Sequence, residues 1–181
     1  MKKFYFISIL IPIFLLIISI LYGYFIPKIE IPFEKSIIHQ ILQPYVELYK
    51  PYNIFTVIFL FLKNTLVVFI AFFLSPLLLI SPIFVIILNG FITGYIASIL
   101  PLDIAIKALV PHGIFELSAL VITSSSGFRF GFYIIMKFIK HKEYKIIEIL
   151  KKEIKWIYIS LILLLIAAII ETFVTPFLLG F

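Results

Sequence analysis

LVPHGIFELSALVITSSSGFRFGFYIIM, residues 109–136, is a run of nearly pure hydrocarbon with a histidine and a glutamate inside it. At 1.5 Å per residue such a run exceeds the ~30 Å hydrocarbon core of a bilayer, which makes it a membrane span. His112 and Glu116 stand four residues apart and share one face of that helix. On insertion scales an ionisable group at the bilayer centre costs on the order of 2.5–3.5 kcal/mol, so two together mark a functional place. Glu171 is a second such acid, in the last apolar segment.

Composition supports the membrane reading. Of 181 residues 64% are hydrophobic, 21 are Phe, and mean hydropathy is +1.24. A soluble domain of this size has too little interior to hide that surface, so lipid must cover it. One membrane domain over residues 1–181 is expected. Cysteine is absent, which excludes disulfides and thiolate metal sites. The net charge of +6 is gathered in clusters that mark a cytoplasmic face, and no basic groove with interleaved aromatics points to nucleic acid.

The predicted fold is an all-α polytopic bundle with spans at about 4–26, 54–74, 83–100, 109–136 and 157–179. The first is expected to be a retained helix rather than a signal peptide, since no small-x-small cleavage site follows it. Pro111 suits a helix's first turn, and Ser124 to Gly127 predict a kink or break. Two amphipathic helices, at about 33–50 and 139–155, are expected on the membrane surface. The second segment, 137–155, carries seven Lys and three Glu, whereas 27–52 and 101–107 each sum to zero. With four spans between them, the basic clusters at 2–3 and 137–155 fall on the same side. This predicts a multi-pass protein of the cell membrane with a cytoplasmic N-terminus and a C-terminus outside.

Counted at helical rise, His112, Glu116, Glu171 and Lys63 all fall in the outer half of the membrane or near its midplane. They are therefore expected to meet in one polar cluster facing the bundle interior, with Asn64, Asn89 and Arg129 as further members. Small residues form stripes on the same helices. Gly90 and Gly94, and Gly127 and Gly131, are expected to let helices approach closely, and such faces suggest a homodimer. The structural alternatives are plain: the amides and glycines as packing devices, and Lys63 and Arg129 reaching to headgroups.

A histidine with two carboxylates is a donor set for zinc or a similar divalent cation, which nominates His112, Glu116 and Glu171 as ligands. The His-x3-Glu spacing is not the His-Glu-x-x-His zinc motif. Three protein ligands would leave a position for an activated water. Paired acids also serve proton or ion passage, and a buried polar cluster also fixes assembly.

The stretch Pro111-His112-Gly113-Ile114-Phe115-Glu116-Leu117-Ser118-Ala119 resembles the stage II sporulation protein M family of integral membrane proteins. The resemblance continues through residues 127–131 and returns at 166–176, around Ala167 and Glu171, and at Asn89-Gly90 with Gly94. Ser118, Ser124 to Ser126 and Lys63 depart from the family pattern. The resemblance implies a polytopic membrane protein in which His112, Glu116, Arg129 and Glu171 matter. The family's bacterial namesake works with cell-wall hydrolases during forespore engulfment. Lipid, further copies of the chain and other membrane or envelope proteins are the expected partners. The expected function is a membrane scaffold or transport-associated subunit built on a His/Glu cluster, with no catalytic residue assigned. A metal-dependent intramembrane hydrolase and an ion- or proton-coupled transporter are the alternatives.

Overall fold

The computed structural model describes residues 2–26, 48–77, 79–140 and 144–180, and among them every regular element is helical. The protein is an all-α polytopic membrane bundle. Its helices are α1 (Lys2–Phe25), α2 (Ile54–Phe73), α3 (Ile80–Ile99), α4 (Leu102–Lys140) and α5 (Ile146–Ile169). A π-helical turn, Ile170–Val174, follows α5 and leads into a short α6 (Thr175–Leu179). Five helical stretches are long and apolar enough to cross a membrane, the last running unbroken through the π turn from Ile146 to Leu179. Their outer faces are paved with exposed Ile, Leu and Phe, such as Phe14, Phe55, Leu66, Ile162 and Phe177. In a membrane those side chains meet acyl chains.

Three differences from the sequence expectations have physical causes. First, α4 begins at Leu102, so the loop expected over 101–107 is helical from Leu102 onward and Pro111 lies inside the helix. At 39 residues α4 is about 58 Å long, so its ends project well beyond a ~30 Å hydrocarbon core. Second, α4 does not break at Ser124 to Gly127. The hydroxyls there take acceptors without touching the helical N–H groups: Ser125 donates to the Val121 carbonyl at 2.6 Å and Ser126 to the Thr123 carbonyl at 2.9 Å. Ser124 donates to the Pro82 carbonyl at 3.4 Å and Thr123 to the Ser160 hydroxyl at 2.8 Å. These bonds stitch α4 to α3 and α5. Third, the surface helix expected over 139–155 is instead the first part of α5. Its apolar residues Ile146, Ile149, Leu150 and Ile154 pack on the bundle core, while Ile147 faces out. The surface helix expected over 33–50 lies almost wholly outside the described residues.

The core gathers at the middle of α4. Ala119, Leu120 and Phe130 meet Val68 and Phe72 of α2, Ile86 of α3 and Leu164 of α5. Phe72 and Phe130 stack with centroids 5.0 Å apart and planes 12° from parallel. The glycine faces are consumed inside the chain. Gly90 and Gly94 lie against the backbone of α1 at Leu16 and Ile20, where an added Cβ would collide. Gly127 and Gly131 lie equally tight against Ala71 and Ser75. The stripes that suggested a homodimer thus already serve contacts within one copy.

Candidate functional site

The three acid and imidazole groups converge. One ligand atom each from His112, Glu116 and Glu171 lies within 4.8 Å of the others. Helical spacing explains the first two, which stand one turn apart on α4. Glu171 comes from the π turn. Lys63 of α2 lies within electrostatic reach of all three. The Thr175 hydroxyl sits 3.4 Å from His112 Nδ1, so the ring has a neighbour that holds its orientation.

The π turn has a local cause in Pro176. The Thr175 N–H bonds back to the Ile170 carbonyl, five residues away, which is the π register. Pro176 has no N–H to offer. The Glu171 carbonyl thus loses both its α-type and its π-type donors, and the Thr172 carbonyl loses its α-type donor. A buried carbonyl left bare is costly. The loop before α2 supplies both bonds: the Tyr49 hydroxyl donates to the Glu171 carbonyl at 2.8 Å, and the Tyr52 N–H donates to the Thr172 carbonyl at 3.1 Å. That loop is itself tied down, since Thr56 Oγ1 donates to the Lys50 carbonyl at 2.8 Å and accepts from the Lys50 N–H at 3.0 Å. Burial first, and then the charge of Glu171 and the neighbouring Tyr52, push the Tyr49 phenol up to about 12, so it stays a donor at every ordinary pH. The helix irregularity, the loop and the carboxylate form one unit.

A cavity of about 650 Å³ opens beside the cluster, between α1, α3 and α4. His112 and Glu116 are in its wall, with Asn89 and Thr93 opposite.

The other predicted members fall elsewhere. Asn89 shares the cavity, but its amide donates to the Val85 carbonyl of its own helix at 2.8 Å. Asn64 is buried on α2, and its amide nitrogen has no hydrogen-bond partner among the described residues. Arg129 lies 17 positions beyond His112 on the unbroken α4, about 25 Å away, so it belongs to a different place in the bundle. There it pairs with Glu153, its Nη2 and Nε donating to Oε2 at 2.7 and 2.9 Å. Its Nη1 donates to the Ser8 hydroxyl at 3.0 Å, and its guanidinium lies 4.3 Å from the centre of the Tyr5 ring. Arg129 does not reach to headgroups: it is 3% exposed and Glu153 1%. Sequence reasoning missed Glu153, hidden among lysines. Its signal was phase, since Leu150, Glu153, Ile157 and Ser160 recur every three or four residues on one face.

Fold and site together define a class: a polytopic, all-helical membrane protein with converging His and Glu side chains from its fourth and last apolar stretches. The chain belongs to the stage II sporulation protein M family, whose sequence profile matches residues 12–176. It is similar to two uncharacterised proteins of Methanocaldococcus jannaschii. One is 35% identical over 96 residues, covering 50% of this chain and 54% of the relative. The other is 33% identical over 118 residues, covering 62% of this chain and 53% of the relative. The chain therefore spans about half the length of the curated relatives it matches. No solved structure matches it.

Proposed function

We propose that the protein is a membrane subunit, a scaffold or a companion to transport, whose working centre is an intramembrane His112–Glu116–Glu171 cluster holding a divalent cation. The supporting observation is the convergence of the three ligand atoms from distant parts of the chain. Two carboxylates and an imidazole are ordinary zinc donors, and the Lys63 ammonium beside them balances only one of the two negative charges. In a tetrahedral site with ligand atoms about 2.1 Å from zinc those atoms stand about 3.4 Å apart, so side chains now within 4.8 Å of one another would draw in by roughly an ångström on binding. The basic segments at 2–3 and 137–155 support an orientation with the starts of α1 and α5 at the cytoplasmic face and the cluster toward the outer leaflet. Metal analysis of purified protein tests the cation: about one divalent ion per chain is expected in the wild type and none in His112→Ala. Background metal in both removes it. Cross-linking in native membranes tests the subunit role, for which a chain with no neighbours is the contrary result.

One observation favours a second reading, metal-dependent hydrolysis. The cavity that His112 and Glu116 line gives a substrate a way to the cluster, and three protein ligands leave a position for an activated water. Hydrolytic turnover that follows metal content and vanishes in Glu116→Gln is the expected signature.

A further inference from the structure

We propose that the cleft between α1, α3 and α4 is a lipid site: it takes one hydrocarbon chain of a bilayer lipid sideways, with the oxygen-bearing glycerol region set against His112 and Glu116. This deepens the proposed working centre by naming what reaches it, and it rests on the membrane placement of that centre but not on bound metal. The cleft, at about 650 Å³, falls within the ~300–1,000 Å³ of sites that bury small organic ligands. Leu16, Leu109, Leu117, Val121 and Ile122 give it hydrocarbon walls. Its mouth lies on the lipid-facing surface, where the lining residues Ile13, Val110 and Ile114 are 37%, 46% and 60% exposed. An apolar cavity does not hold water, and at this surface the surrounding solvent is acyl chain.

Polar groups stand in the wall beside the hydrocarbon. On the α3 side Thr93 donates to the Asn89 carbonyl at 2.8 Å, and one of the two N–H groups of the Asn89 amide donates to the Val85 carbonyl at 2.8 Å. The second amide N–H of Asn89, with His112, Glu116 and Ser118 of α4, is left to meet a polar group on the occupant. Hydrocarbon walls with a polar set among them fit an amphiphile, a chain ending in ester or hydroxyl oxygens.

The test uses the full chain in detergent with a phosphatidylcholine carrying a diazirine in one acyl chain. After photolysis, label is expected to saturate at about one lipid per chain and to map to residues 109–122 with 13–16 or 89–93. Val121→Trp fills the cleft and is expected to cut the label at least about tenfold. Ile114→Trp, at the exposed rim where core packing is not disturbed, is expected to do the same. Leu165→Trp, on the exposed face of α5, is expected to leave it unchanged. Label that does not saturate, that spreads equally over Ile162 and Leu165, or that survives both blocking variants overturns the proposal. Repeating the assay with a chelator separates the two readings. Persistent label in metal-free protein keeps the lipid site even if the cation fails, and metal uptake without saturable label does the reverse.

Discussion

Arg129 with Glu153, and His112 with Glu116 and Glu171, are two polar clusters about 25 Å apart along α4, built on opposite plans. The first is closed. Each guanidinium nitrogen donates within the bundle, a ring covers its face, and the carboxylate is almost wholly buried. Such a pair links α1, α4 and α5 and, at 3% and 1% exposure, has no surface from which to meet a ligand. The second is open. Its two acids and imidazole point at one another, its ring neighbour is a hydroxyl at 3.4 Å, and a cleft runs along its side. A buried, hydrogen-bonded ion pair holds a bundle together, whereas convergent donor groups beside a cleft are the arrangement on which the proposed cation centre rests.

That contrast is breakable by substitution, and the closed pair gives the largest effect. Glu153→Ala leaves a buried guanidinium unpaired and is expected to cost about 3–5 kcal/mol in detergent unfolding, with no change in metal binding. The double variant Arg129→Met with Glu153→Leu is expected to recover most of that loss. At the open cluster the order reverses: Glu171→Gln is expected to abolish metal binding while leaving stability close to the wild type. Thr175→Val, which removes only the neighbour of His112, is expected to weaken metal binding about tenfold. Lys63→Met is expected to strengthen it by about tenfold, equivalent to about 1.4 kcal/mol, because an ammonium and a divalent ion compete for the same carboxylates.

The smallest effect is in the loop. Tyr49→Phe removes one hydrogen bond to the π turn and is expected to cost about 1 kcal/mol. It also carries a pH signature. The phenol is raised to about 12 in the folded protein from its ordinary 10.0, so its contribution is fully present below pH 10 and is lost as pH rises toward 12. The wild type is expected to lose stability over that window, and Tyr49→Phe is expected to lack that component. Unfolding midpoints of both proteins across the alkaline range check it.

Much of the bundle was legible because lipid demands long apolar runs, and those runs name the five spans, although α4 begins at Leu102 and α5 at Ile146, well before their expected starts at 109 and 157. His112 and Glu116 were legible as a pair because helical spacing is local. Glu171 joined them by a depth count at helical rise along the last apolar run. What escaped depends on partners far apart in sequence. Glu153 reads as one more solvated charge beside Lys151, Lys152 and Lys155 until α5 is seen packed on α4. Arg129 reads as a member of the polar cluster or as a side chain reaching for headgroups, because its partners Glu153 and Ser8 stand 24 and 121 positions away in the sequence. The π turn had a signal that went unread: Pro176 stands five residues after Glu171, where a missing N–H strands the carbonyl that Tyr49 then satisfies. The glycine faces were read correctly as close contacts, but sequence alone does not say whether the approaching helix belongs to the same chain or to another copy.

Zinc titration of the protein in lipid nanodiscs tests the contrast most directly. One ion per chain is predicted for the wild type and for Arg129→Met with Glu153→Leu, and none for His112→Ala or Glu171→Gln. Equal uptake by all four proteins, or none by the wild type, contradicts a cation centre at His112, Glu116 and Glu171.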